Sequence, residues 1–348
     1  MRNKQHLVWV CVFCLMAGVD GAAAVADEIA DFYKGKQIRH IIGSGTGGAY
    51  DTYSRMVARF IGNHIPGHPT LVPQGMPGGG SRKAASWLYN AAPKDGTAIG
   101  TVSQNIPVDQ ALEGNRTEFD ASKFHWIGTP TTNNHILITW HTSGVKTVED
   151  AMTKEITVGS SGGNSPSVLI PKLANIYVGT KFKVITGYRG GEEVTLAMER
   201  QEVDGRGALS WQSLKNNNAE WVADKKVSVV LQAGVKKEAE LPDVPLLSDL
   251  AKNDDHRRIL TFLSSTVAFG RPILTVPGVP ANRVAALRRA FDATMRDPEF
   301  LAEAKKRNMD VNPTSGEELQ ALVVSVANTP SALIQRIKTE VGITGSGD

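Results

Sequence analysis

Cysteine is nearly absent: Cys11 and Cys14 are the two in the chain, and both lie close to its start. They sit in a segment with the layout of a secretory leader. Arg2 and Lys4 make a positive beginning, His6 to Val19 is almost continuously apolar, and Ala22 to Ala26 supplies small residues with two A-x-A sites. That apolar run is too short to span a bilayer comfortably. Residues 1–26 are therefore expected to be a signal peptide cleaved after Ala26, with Ala24 as the neighbouring option. Beyond it the chain has no thiol, which excludes disulfides, zinc–thiolate sites and cysteine nucleophiles. No second long apolar run follows, so the mature protein is expected to be soluble. An excess of one charge is also missing: 36 basic residues face 34 acidic ones after Ala26, which leaves no footprint for nucleic acid or a polybasic membrane patch. Aromatics are scarce at 6% against 41% hydrophobic residues, a composition that reads as α/β. A mature length of about 320 residues allows two domains of ordinary size.

Alternation of short apolar runs with helical spacing supports that class. Gln37 to Ile42, Thr70 to Pro73 and Ala98 to Val102 read as strands. Between them, Tyr50, Tyr53, Met56, Val57, Phe60 and Ile61 recur at helical spacing, as do Ala84, Ala85, Trp87 and Leu88. The order strand, turn, helix, strand predicts a largely parallel sheet. The middle repeats it: strands at Ile136–Ile138, Ile156–Val158, Phe182–Ile185 and Val227–Gln232, with helices over Val168–Tyr177 and Glu192–Glu202. Toward the end, Asp297-Pro298-Glu299 predicts an N-cap with proline at the first helical position. Ser315 and Glu318 predict a capping box.

Two glycine-rich turns carry the functional signal. Gly43-Ser44-Gly45-Thr46-Gly47-Gly48 and Gly159-Ser160-Ser161-Gly162-Gly163-Asn164-Ser165 each follow a strand and precede a helix, where backbone N–H groups can point at an anion. The first matches G-x-G-x-x-G, the dinucleotide fingerprint, but the acidic residue needed about twenty positions on is missing. No Asp or Glu occurs between Asp51 and Asp95, and no Gly-Lys-Ser or Gly-Lys-Thr completes a P-loop. An exported nucleotide- or dinucleotide-dependent enzyme therefore stands as the alternative to a carboxylate clamp. Each N–H bond to a carboxylate is charge-assisted and contributes about 1.5–3 kcal/mol. A helix terminus adds about 0.3–1 kcal/mol, so two loops could grip one carboxylate without any arginine. Candidate ligand contacts are Ser44, Gly45, Thr46, Gly47 and Gly48 of the first turn and Ser160, Ser161, Gly162, Gly163, Asn164 and Ser165 of the second. Asp51 serves as a cap or a contact, and Gln104 and Tyr188 lie where a strand ends or turns into a helix. His125, His135 and His141 lack a tight metal-ligand spacing, and neither a Gly-x-Ser-x-Gly elbow nor a carboxylate pair stands out. No catalytic residue, cofactor or metal is expected.

A family resemblance runs along nearly the whole mature chain. Phe32-Tyr33-Lys34-Gly35-Lys36, Gly47-Gly48-Ala49-Tyr50-Asp51, Ser54-Arg55-Met56-Val57-Ala58-Arg59, Met76-Pro77-Gly78-Gly79-Gly80 and Ala92-Pro93-Lys94-Asp95-Gly96-Thr97 resemble the substrate-binding proteins of tripartite tricarboxylate transporters, the Bug-type receptors. Thr186-Gly187-Tyr188-Arg189-Gly190-Gly191 with Ala197-Met198-Glu199-Arg200, and the stretch around Val279-Pro280-Ala281, are similar to later motifs of the same family. The resemblance implies a bilobed, type II-like periplasmic-binding-protein fold of two α/β domains joined by two crossing strands. The ligand carboxylate would lie between them, held by backbone N–H groups, hydroxyls and water. The second turn departs from the family's usual Gly-Thr form, with Gly163-Asn164-Ser165 in its place. It further implies delivery of a small carboxylate to membrane permease subunits; capture by hinge closure, a periplasmic location and a monomeric state are expected, with a ligand sensor for a signalling partner as an alternative role. The expected division is 27–134 with 266–348 as one domain and 135–265 as the other. The crossings are expected near Thr132–Ile136 and Ser264–Ala268.

Overall fold

The computed structural model describes residues 28–47, 49–114, 117–160, 165–188 and 191–342. Eleven strands among them form two sheets. The first takes β1 (Gln37–Ile42), β2 (Thr70–Gly75), β3 (Ala98–Thr101), β4 (His125–Thr129), β10 (Ile273–Thr275) and β11 (Thr314–Ser315), in the order β11-β4-β10-β3-β1-β2. The second takes β5 (His135–Trp140), β6 (Ile156–Gly159), β7 (Phe182–Ile185), β8 (Gly205–Ser210) and β9 (Val227–Ala233), in the order β7-β6-β8-β5-β9.

Each sheet is parallel only in part, which corrects the expectation of a largely parallel one. β1 runs parallel to β2 and β3, and β6 runs parallel to β7 and β8. The strands that arrive from the other sheet run the opposite way: β10 is antiparallel to β3 and β4, and β5 is antiparallel to β8 and β9. A strand reached by a helical crossover on one face keeps its neighbour's direction, whereas a chain entering from the far side does not.

The helix Ala49–His64 buries Tyr53, Met56, Val57, Phe60 and Ile61 along one stripe, as the spacing predicts. Phe60 meets Phe300 edge-on, with ring centroids 5.6 Å apart. Phe300 is placed there by its own helix, Pro298–Lys306, whose N-cap Asp297 accepts from the Glu299 and Phe300 N–H groups. Of the capping box predicted at Ser315 and Glu318, one half forms, the Ser315 Oγ accepting from the Glu318 N–H.

Two expectations change. Val168–Tyr177 divides into a helix at Pro166–Leu173 and a wider π turn at Ala174–Val178, with Pro171 inside the helical part removing a backbone donor. Ser264–Ala268, expected as a crossing strand, lies inside a long helix, Asp254–Phe269. That helix is capped by Asn253, whose Oδ1 accepts from the His256 N–H, and it ends at Gly270. The other expected crossing, Thr132–Ile136, covers the end of the connection between β4 and β5 and the start of β5.

Apolar packing is continuous from one sheet to the other. Ile41, Trp126 and Leu274 of the first share one buried cluster with Leu137, Val158, Ala208 and Leu231 of the second. The opposite face of the second sheet has its own core around Ile136, Ile138 and Leu209. There Trp140 and Trp221 meet edge-on at 4.9 Å.

Candidate functional site

The first glycine turn leaves β1 and feeds the helix Ala49–His64. Around Gly45 and Gly47 there is open space: a Cβ on either would meet no heavy atom within 4 Å. Gly47 has φ +86°, which a glycine adopts without strain. Its N–H, however, donates to Asp51 Oδ2 at 3.0 Å, while Asp51 Oδ1 accepts from Arg55 Nε at 2.8 Å. Asp51 is buried, so its carboxylate stands where the turn would present that amide to an anion. Ser44 is turned along its own loop, its Oγ 3.5 Å from the Gly45 carbonyl, and Thr46 completes the turn before Gly47. Gly48 lies outside the described residues.

In the second turn, Ser161, Gly162, Gly163 and Asn164 lie outside the described residues. The two flanking hydroxyls are engaged inward: Ser160, fully buried, and Ser165 both bond Ser167 Oγ, at 2.8 and 2.9 Å. Tyr188 packs at the end of β6, where a Cβ on Gly159 would come 3.4 Å from its ring.

Gln104 leads to the cleft. Its N–H donates to the Tyr50 hydroxyl at 3.1 Å, and that hydroxyl donates onward to the Gly270 carbonyl at 3.3 Å. Burial pushes the Tyr50 phenol above its ordinary pKa, so it stays a neutral donor. Beyond Gly270 comes Arg271, whose guanidinium lies over Tyr50 and Tyr53, 5.9 and 5.3 Å from the ring centroids. Its own N–H donates to Thr129 Oγ1 at 2.9 Å.

Gly270 makes this path possible. Its φ is +59°, and a Cβ there would lie 2.0 Å from the Thr131 carbonyl oxygen.

Gln104 and Arg271 of the first sheet face Arg206, His135, Ser210 and Ser213 of the second across a cavity of about 270 Å³, with Asn133 at the crossing between them. The volume lies just below the usual range for ligand pockets and suits a small organic molecule. Arg206 rises from β8; its Nε donates to the Ala208 carbonyl at 3.2 Å and its Nη1 to Thr195 Oγ1 at 2.9 Å. The guanidinium lies against the start of the helix Gly191–Glu199, so close that a Cβ on Gly191 would fall 2.1 Å from Nη2. Ser210 caps the helix Trp211–Asn217, accepting from the Ser213 N–H and donating to its hydroxyl at 2.7 Å.

The charge pattern decides what this cavity can hold. Its lining has two guanidiniums and one imidazole and no carboxylate. Arg271 makes no ion pair among the described residues, and its Nε is buried without a hydrogen-bond partner; so is Nδ1 of His135. Burial, then the positive charges of Arg271 and Arg206, push His135 down to about 4. A second cavity between the sheets, of about 290 Å³, lies on the other side of Val267 and contains both signs, with Lys236 and Lys237 beside Glu238 and Glu318. Of these two cavities between the sheets, the first alone is uniformly cationic. Among the described residues no cluster of His, Asp or Glu could hold a metal ion.

The described lining of this cleft carries cations that a clamp of backbone amides alone does not include. Arg206, Arg271 and His135 were not among the expected contacts, and they dominate its electrostatics. Of the expected contacts among the described residues, only Gln104 lines the cavity. The signal for Arg271 was its place after a glycine and before a proline, where the chain must turn. Arg206 stood between glycines in a stretch that does not alternate.

No family model and no curated protein matches the chain, but solved structures do. A TctC solute-binding protein from Polaromonas, solved without ligand, superposes with a TM-score of 0.68 at 17% identity, covering 87% of this chain and 99% of its own. A Rhodopseudomonas palustris protein with adipate gives 0.56 at 16% identity, over 88% and 97%. MatC of the same organism with bound malate gives 0.53 at 16%, over 88% and 99%. The chain therefore has the bilobed α/β fold of periplasmic binding proteins, as the motif resemblance implied.

Proposed function

We propose that this chain is a periplasmic solute-binding receptor that captures a small carboxylate between its two sheets and delivers it to the membrane permease of a tripartite tricarboxylate-type transporter. The observation that carries this reading is Arg271: a cation facing the cleft with no ion pair among the described residues and a buried, unpartnered Nε. Arg271 is half-buried, so its charge is incompletely hydrated, and the cavity lining offers no opposite charge to meet it. An anionic ligand supplies it.

The similar structures solved with adipate and malate hold small dicarboxylates, which agrees with a cavity of this size and sign. Residues 27–134 with 266–348 would form one lobe and 135–265 the other, so that an anion touching Arg271 and Arg206 spans both and favours the closed form. Export would follow from the leader at residues 1–26, and a monomer is the expected state. The nucleotide alternative loses support from Asp51, whose carboxylate takes the Gly47 N–H that a phosphate would need.

A thermal-shift screen against mono-, di- and tricarboxylates, with NAD and ATP in parallel, tests the reading. A carboxylate that raises the melting temperature is expected, because a ligand selective for the native state stabilises it. Stabilisation by a nucleotide and by no carboxylate would overturn it. Deleting the gene and following uptake of the best ligand tests the delivery step.

A further inference from the structure

We infer that His135 is itself a ligand-binding residue of the cleft and takes up a proton as the anion enters, so that capture is coupled to pH. The inference rests on the reading of this cleft as an anion site. His135 opens β5, the first residue of the second sheet after the chain leaves the first. In the ladder it stands opposite Ser210 of β8 and Ala233 of β9, neither of which titrates. The charged groups that face it are Arg206 from β8 and Arg271 from the first sheet. The carboxylate close to it along this path, Glu238, accepts the N–H of the preceding residue, Asn134, at 2.8 Å and lines the other cavity.

Without a ligand, then, the ring is surrounded by positive charge, and its Nδ1 is buried with no partner. That state is neutral at pH 7, since burial and the two arginines hold the ring at about 4. An anion between the guanidiniums cancels their repulsion on the ring that lines the cavity beside them, and that change favours the imidazolium. The pKa in the bound state is therefore higher than in the empty one. By linkage, binding takes up a proton and affinity rises as pH falls through the bound-state value, by up to about tenfold per pH unit.

Sulfate is the appropriate probe, because its charge is constant over the range and carboxylate titration does not intrude. Titration calorimetry from about pH 5 to 7.5, in buffers of different ionisation enthalpy, counts the protons exchanged. The wild-type chain should take up protons and bind at least about threefold more tightly per unit fall in pH. His135→Asn and His135→Gln should bind with pH-independent affinity while keeping the wild-type melting temperature. A pH-independent wild type, or the same proton uptake in both folded variants, would overturn the inference. Failure of sulfate to bind the wild type at any pH would strike the anion site itself and remove this inference with it.

Discussion

The two sheets reach the cleft with the same kind of side chain held in opposite ways. Arg206 is tied into its own lobe by hydrogen bonds to Ala208 and Thr195 and lies against a helix start. Arg271 is held by rings, over Tyr50 and Tyr53, and its Nε has no acceptor. A guanidinium already bonded within its sheet is oriented but has fewer donors left for a ligand; one positioned by aromatic faces keeps them. On the proposed reading of the cleft as an anion site, the difference would assign the larger share of ligand charge to the first sheet and a framing role to the second.

The backbone supports differ in the same sense, and they give the largest expected effect. Gly270→Ala forces a side chain into a positive φ and against a carbonyl oxygen that cannot move aside. It should destabilise by about 3 kcal/mol in denaturant unfolding and abolish anion binding. Gly191→Ala meets first the guanidinium of Arg206, the far end of a long side chain that can shift by giving up its bonds to Ala208 and Thr195, so a loss near 3 kcal/mol there as well would break the comparison. Next comes Arg271→Gln, expected to weaken anion affinity about 10- to 100-fold by calorimetry with little change in melting temperature. Arg206→Gln should cost less, about three- to tenfold, and an equal or larger loss would reverse the assignment of roles.

The smallest effect lies away from the cleft. Asp297→Ala removes a helix cap and should cost about 1 kcal/mol with anion affinity unchanged. The hydrogen bond from His64 holds the Asp297 carboxyl below its ordinary pKa. Its contribution is present above the unfolded value of about 4 and is lost as pH falls through the lower folded one. The gap in melting temperature between variant and wild type should therefore close in acid.

Most of the α/β frame was legible because its elements follow simple periods. β1 and β7 coincide with the apolar runs Gln37–Ile42 and Phe182–Ile185, and the helix Ala49–His64 keeps a clean stripe. The parts that build the cleft did not announce themselves. β8 reads Gly-Arg-Gly-Ala-Leu-Ser, with two glycines and a buried stretch where alternation should be. The helix Asp254–Phe269 carries Thr266 and Val267 near its end, β-branched residues that suggest a strand. β10 is three residues long and hidden among prolines. Arg206 and Arg271 ride on or beside these elements, so the charge of the cleft was invisible while the first glycine turn was conspicuous. A glycine turn is a local pattern; two arginines meeting across a cleft are a product of topology.

The buried apolar cluster that runs unbroken from Trp126 to Leu231 has a calorimetric consequence. Lobes with separate cores can melt one after the other, each with its own enthalpy. Here neither sheet can lose its packing without exposing surface that belongs to the other, so heat should take the molecule apart in a single peak whose van't Hoff and calorimetric enthalpies agree.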